Sequence, residues 1–260
     1  MALIQLDHVP ESVKVNLPLQ MIIPEPGEMQ EVPVKDRKVL YLLHGLSDDG
    51  SAWQRYSAIE IYAKRYGLVV VMPSFGRSLY LDQPNGQRYF TYLVDELPRY
   101  INSVFGIKPA REKTLIAGLS MGGYGAMKAA LKHPERYFAA ASFSGLLSLE
   151  IMESPRDPSD RVELEMLFGD MTRLKGGVHE PLVWLQNAAI KPEVLPRLYV
   201  SCGLEDDLYP LSVMFREACK QLNIPIDYYE AHGKHDWYFW DVEIQHFLAS
   251  VLEPFGTREK

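Results

Sequence analysis

The sequence predicts an α/β protein, with a mostly parallel central sheet and helices on both faces. Three observations carry that expectation. Short continuous apolar runs, such as "KVLYLLHG" (38–45), "LVVVMPS" (68–74) and "KTLIAGLS" (113–120), read as strands covered on both faces. Stretches with helical spacing separate them, including "SAWQRYSAIEIYAKRYG" (51–67) and "MGGYGAMKAALKHP" (121–134). The alternation runs through most of the chain, as it does in parallel sheets built by crossover helices.

Taken in order, "VKVNLPLQMII" (13–23) alternates polar and apolar residues and tolerates Pro18, which predicts an edge strand. Residues 25–37 form a turn-rich connector. The helix of 51–67 opens on Ser51, a candidate cap, and stops at Gly67. A second helix covers "YFTYLVDELPRYINSVFG" (89–106), with a kink expected at Pro98. "YFAAASFSG" (137–145), "RLYVSCG" (197–203) and "IDYYEA" (226–231) read as strands, and "PLSVMFREACKQLN" (210–223) as a helix. A last helix runs from about Asp236 to Leu252. Residues 146–195 carry no strand signal between two buried strands. A stretch that long is expected to be a cap inserted over a site, within one domain spanning 1–260.

Charge narrows the function classes. The chain has 27 Lys and Arg against 34 Asp and Glu, a net −7, which argues against a nucleic-acid or anionic-membrane surface. No apolar run approaches the roughly 18 residues of a membrane span. The N-terminal stretch lacks the pattern of a signal peptide, so the expected location is cytoplasmic. Cys202 and Cys219, with no CxxC, cannot build a disulfide framework.

The chemistry starts at "TLIAGLSMGGYGA" (114–126), where Gly118-x-Ser120-x-Gly122 lies between a strand and a helix. A serine forced into so sharp a turn needs small neighbours two residues to either side, and its Oγ then stands exposed at the helix N-terminus. There the N–H of Met121 can bind a developing oxyanion. A second donor must come from the loop after the first buried strand, in "LLHGLSDDGSAW" (42–53). Leu46 is the natural candidate, because Gly45 lets that backbone turn in close. His44 reads as a histidine that orders the loop. "LSDDGS" lacks the longer ligand pattern of a calcium loop.

With the nucleophile first, the acid should follow a later strand and the histidine the next one. "RLYVSCGLEDDLYP" (197–210) supplies Glu205, Asp206 and Asp207, and "AHGKHDWYFW" (231–240) supplies His232 and His235. Spacing alone does not choose among them. A zinc reading of His232 and His235 lacks the HExxH context, so no metal is expected.

"LLHGLSDDGSAW", "GLSMGGYGAM", "SCGLEDDLY" and "GKHDWYFW" together resemble the esterase D-like group of α/β-hydrolases. That group includes S-formylglutathione hydrolases, tributyrin esterases and feruloyl or acetyl-xylan esterases. "MPSFGRSLY" (72–80) and the HDWxFW ending look most like the tributyrin-esterase branch. The resemblance implies an α/β-hydrolase fold with Ser120 as nucleophile, Asp206 as acid, His235 as base, and Leu46 and Met121 as the oxyanion pair. Trp53 and Trp237 are expected to border the substrate.

The activity implied is that of a serine carboxylesterase for short acyl or aryl esters, working through an acyl-serine intermediate on a small-molecule ester without cofactor. Three alternatives stand beside it. S-formylglutathione hydrolase would use the same triad, with Arg156, Arg161, Arg173 or Lys175 meeting the glutathione carboxylates. Acyl transfer to a sugar is the second. The third is a non-catalytic binding module, although such scaffolds usually lose the serine or histidine retained here. Homo-oligomerisation fits the resemblance, but the sequence shows no decisive seam.

Overall fold

The computed structural model describes residues 1–25, 32–33, 37–84, 86–153, 158–169, 171 and 174–254. Much of the 25–37 connector therefore lies outside the described residues. Eight strands make one sheet: β1 (Ala2–His8), β2 (Leu17–Ile23), β3 (Lys38–Leu43), β4 (Leu68–Pro73), β5 (Thr114–Leu119), β6 (Ala139–Phe143), β7 (Arg197–Gly203) and β8 (Ile226–Ala231). Their spatial order is β1-β2-β4-β3-β5-β6-β7-β8. β1 pairs antiparallel with β2 and β2 antiparallel with β4, while every later pairing is parallel.

Strand periodicity sorts the apolar side chains into two cores. On β3, Val39, Tyr41 and Leu43 face one core and Leu40 and Leu42 the other, as a period of two requires. The first core lies under α5 (Met121–Lys132) and α8 (Tyr209–Gln221). The second lies under α2 (Ile59–Tyr66) and α9 (Trp237–Val251). A sheet covered this way explains why the central strands read as unbroken apolar runs.

The structure corrects the sequence reading in three places. β1 was not expected: its half-buried alternation carries little apolar signal, and it forms the outer edge instead of the 13–23 stretch. The single helix of 51–67 is two, α1 (Ala52–Tyr56) and α2, and the Ser51 side chain makes no cap. The chain turns extended at Ser57, and the Ala58 N–H is taken by the Asp241 carboxylate of α9 at 3.0 Å. Gly67 does end α2, with φ +64.

The third correction concerns Pro98. The helical run from α3 (Tyr89–Thr91) to α4 (Leu97–Phe105) widens into a π-turn over Tyr92–Glu96, just before the proline. Proline has no N–H to give the carbonyl four residues back, which is Val94. Arg136 Nη1 donates to that carbonyl instead, and its Nη2 pairs with Asp95 at 2.7 Å.

Residues 146–195 contain α6 (Pro158–Phe168) and α7 (Pro181–Ala188) and, among the described residues, no strand. α7 packs on α5: the Tyr124 ring meets Trp184 at a tilt, 5.0 Å between centroids, and its hydroxyl donates to His179 O at 2.9 Å.

α5 approaches the end of β3 with no room for a side chain between them. A Cβ on Gly122 would lie 2.5 Å from Leu43 O and 2.8 Å from His44 O. Gly122→Ala is therefore expected to cost more than about 2 kcal/mol, since backbone cannot give way as a flexible side chain does. Chemical denaturation of the folded variant checks this, and a wild-type midpoint would contradict it.

Candidate active site

The parallel strands deliver their following residues to one edge of the sheet, where ligands collect in open α/β folds. His44 to Leu46 follow β3, Ser120 follows β5, Ser144 follows β6, Asp206 follows β7 and His235 follows β8. β3 and β5 are neighbours, although the chain departs from them toward opposite edges of the sheet. Leu46 and Ser120 thus sit at the point where the topology reverses.

Ser120 joins β5 to α5 with φ +51 and ψ −117, a region L-residues avoid. Its N–H donates to Phe143 O at 2.9 Å and its carbonyl accepts from Tyr124 N at 3.1 Å. The flanking glycines are required sterically: a Cβ on Gly118 would lie 2.5 Å from the Gly122 backbone. A Cβ on Gly45 would come 3.8 Å from Ser120 Cβ, so the loop after β3 runs directly past the serine. Ser120 keeps partial exposure. Met121 is buried and Leu46 half-buried.

His44 explains how that loop is held. It is fully buried; Nδ1–H donates to Gly45 O at 2.7 Å and Nε2 accepts from Phe75 N at 2.9 Å, partners that define the neutral tautomer. Burial pushes its pKa down to about 4. Tyr80, also fully buried, donates its hydroxyl to His44 O at 2.8 Å. His44 therefore orders the loop, as the sequence suggested.

The three consecutive acids separate cleanly. Asp206 is buried, its side chain 0% exposed, and His235 Nδ1 lies 2.9 Å from Oδ2 and 3.1 Å from Oδ1. Leu208 N–H adds a bond to Oδ1 at 2.8 Å. Burial pushes the Asp206 carboxyl up, but the hydrogen bonds from His235, Ser144 and Leu208 outweigh it and hold the group below its ordinary value. Glu205 is exposed and pairs with the other histidine, His232, at 2.8 Å, while also accepting from Gly233 N at 2.7 Å. Asp207 is exposed. Ser120 and His235 share no direct hydrogen bond among the described residues; such contacts often tighten only when substrate binds.

One expectation fails. Trp53 cannot border a substrate, because it is 0% exposed and spends its indole N–H on Leu43 O at 3.0 Å. It braces the end of β3 and packs edge-on against Trp237 at 5.0 Å. Trp237 is half-buried and also touches Tyr56 and Trp240. Sequence reasoning missed Ser144 as a site component, and took Trp240 as packing the final helix or walling the pocket. Trp240 donates to Ser144 Oγ at 3.0 Å and lies edge-on to the His235 ring at 4.9 Å. No sequence signal marks a serine that will take a positive φ.

Of the cap cations, Arg156 and Arg173 fall outside the described residues. Arg161 pairs with Glu165 and Lys175 with Glu150, all on the surface. Among the described residues, no group of three His, Cys, Asp or Glu is placed to hold a metal ion, and no helix is long and apolar enough to cross a membrane. A cavity of about 990 Å³ lies near the C-terminal end of α5, lined by residues such as Leu131, Lys132 and Trp184, away from Ser120.

A strained serine at a helix N-terminus, on the same sheet edge as a histidine bonded to a buried carboxylate, defines a serine hydrolase on an α/β-hydrolase scaffold. The profile of a family described as "Putative esterase" matches residues 13–250, and the chain belongs to that family. It is 31% identical to an acetyl esterase of Caldicellulosiruptor saccharolyticus, over 97% of each chain. Among solved structures it is similar to a fluorophosphonate-binding serine hydrolase of Staphylococcus aureus, with TM-score 0.89 and 30% identity over 97% of this chain and 98% of that one. An S-formylglutathione hydrolase of the same organism matches with TM-score 0.86 and 30% identity, over 97% and 99%. The chain is an esterase, a serine hydrolase of carboxylic esters.

The neutral buried His44 has a measurable consequence. Its folded pKa of about 4 lies below the ordinary 6.5, so on acidification the unfolded chain binds a proton that the folded chain refuses. This contribution leaves stability untouched above pH 6.5 and erodes it as pH falls from 6.5 toward 4. His44→Gln, which cannot titrate, should show a shallower stability loss across that window in parallel denaturant titrations. Equal slopes would contradict the assignment.

Proposed function

We propose that the chain is a carboxylesterase for small acyl esters, using Ser120, His235 and Asp206 as a triad and the N–H groups of Leu46 and Met121 as oxyanion donors. The observation that carries the reading is the Asp206–His235 bond at 2.9 Å, with a fully buried carboxylate, on the same sheet edge as the strained Ser120. Among the described residues neither the Leu46 nor the Met121 N–H donates to another protein group, which leaves both for a ligand oxygen.

The steps follow from these positions. Ser120 Oγ attacks the acyl carbon as its proton passes to His235 Nε2, and the carbonyl oxygen becomes an oxyanion facing the two N–H donors. Collapse breaks the C–O bond, and His235 returns the proton to the departing alcohol. Water then attacks acyl-Ser120, giving its proton to His235, and the carboxylic acid leaves with Ser120 restored. Asp206 fixes the imidazole tautomer through Nδ1 and stabilises the imidazolium. Residues 146–195 act as a cap that sets which acyl and alcohol parts fit. Leu146 N–H reaches Ser120 O at 3.4 Å, so this segment begins against the nucleophile. Trp237 walls the site beside His235.

Thioester hydrolysis of S-formylglutathione is the second reading, supported by the similarity to a solved enzyme of that name. It requires the same triad and differs only in the acyl carrier. Comparing kcat/KM for p-nitrophenyl acetate, p-nitrophenyl butyrate and S-formylglutathione separates them. The ester reading predicts the larger values for the nitrophenyl esters, and a preference of a hundredfold or so for the thioester would reverse it.

Two substitutions test the acid. Asp206→Asn should lower kcat by roughly 10⁴-fold, because the wrong imidazole tautomer is then favoured. Asp207→Asn should change it little. The opposite pattern would overturn the assignment.

A further inference from the structure

Ser144 is a second serine in a strained backbone, with φ +49, and it follows β6, the strand between those that carry Ser120 and Asp206. It is fully buried. A side chain that keeps such a conformation is held there by its surroundings, and residues of this kind cluster at functional sites. The surroundings here are specific. Ser144 N–H donates to Ser201 O at 2.8 Å, and its Oγ accepts from the Trp240 indole N–H at 3.0 Å. With that lone pair taken, the hydroxyl proton is free to donate, and the Asp206 carboxyl, which Ser144 helps hold below its ordinary value, is the acid beside it.

We propose that Trp240 and Ser144 form a hydrogen-bonded relay that positions the Asp206 carboxylate, and through it the His235 ring, for catalysis. The inference rests on the triad proposed above and adds two positioning residues to it. Trp240 acts twice, since it also lies edge-on to the imidazole at 4.9 Å and an interplanar angle of 89°. It limits ring rotation while its indole N–H orients the hydroxyl that orients the acid.

Cys202, buried on β7, lies beside Ser144 and Asp206, and burial pushes its thiol up to about 12, so it stays protonated. The carboxylate receives His235 Nδ1–H and Leu208 N–H, with the Ser144 hydroxyl and the Cys202 thiol beside it. A carboxylate so fully engaged has one orientation, and a histidine bonded to it inherits that orientation. Preorganisation of this kind acts on kcat, because it serves the transition state without touching substrate.

The test compares Ser144→Gly, Ser144→Ala and Trp240→Phe with the wild type in p-nitrophenyl acetate hydrolysis across pH. Glycine adopts φ +49 without strain, so the Ser144→Gly variant removes the hydroxyl with the least threat to folding. Both serine variants should lose roughly ten- to a hundredfold in kcat, as expected for one hydrogen bond to a charged group, with KM held within about twofold. The acid limb of kcat/KM should move to higher pH, because a carboxylate relieved of one donor holds the imidazolium more strongly.

Trp240→Phe should lose less, and its loss should not add to that of Ser144→Gly, as members of one relay require. Folded Ser144→Gly with wild-type kcat and an unmoved acid limb overturns the proposal, as do strictly additive losses. If the serine variants fail to fold, the Trp240→Phe profile decides alone, an unmoved limb and unchanged kcat counting against the relay. Ser120→Ala run in the same assay keeps the two readings apart: persisting turnover there would sink the triad, whatever Ser144 does.

Discussion

The contact on which the site depends is the meeting of α5 with the carbonyl end of β3. Gly122 lies where any side chain would strike Leu43 O and His44 O, and Gly118 lies against Gly122 itself. These two approaches force the chain from strand to helix within one residue, and Ser120 absorbs the distortion as a positive φ. A residue so placed lies at a helix N-terminus, beside the loop that follows β3, with two backbone donors close by. Placement of the proposed nucleophile, of the proposed oxyanion donors and of the helix is therefore one constraint. The local strain is offset by the two cores that clamp the sheet from both faces.

The opposite half of the site is built on a similar principle, with glycine at the crossing and polar groups around it. Gly203, at the end of β7, has no room for a side chain against the backbone of Gly233 in the histidine loop. Leu204 N–H bonds Ala231 O at 2.9 Å and Glu205 N–H bonds Gly233 O at 3.1 Å, stitching the acid-bearing loop to the histidine-bearing one. Glu205 and His232 form the outer clasp of that junction. Asp206 and His235 form the inner one, whose carboxylate is removed from water. Two acid–histidine pairs thus sit side by side with different work, and burial is what separates them.

Much of this was legible in the sequence, and the failures have physical reasons. The central strands and α5 announced themselves through apolar runs and period, and β8 spans 226–231, the range read from its residues. β1 escaped because an edge strand with one wet face carries only alternation. The break between α1 and α2 depends on Asp241, which is far away in sequence and therefore invisible to local pattern. Within the site, Gly118-x-Ser120-x-Gly122 was readable because a steric demand writes itself as glycine. The three acids 205–207 were not separable by spacing, since a turn decides which carboxylate points inward, and only the resemblance chose Asp206. Trp53 was misread for a related reason: a tryptophan near a site looks the same in sequence whether it lines the pocket or braces the strand beneath it. Ser144 left no trace, because its strain is imposed by neighbours on three other segments.

The central claim is that Ser120 becomes acylated during turnover. It is tested most directly by quenching the enzyme with acid in the burst phase of p-nitrophenyl acetate hydrolysis and weighing its proteolytic peptides. An acyl-Ser120 intermediate places one acetyl group on the peptide that carries Ser120, present during turnover and gone once substrate is exhausted. An unmodified Ser120 peptide from enzyme that is turning over, or an acetyl group that accumulates on a different residue at the rate of turnover, would contradict it.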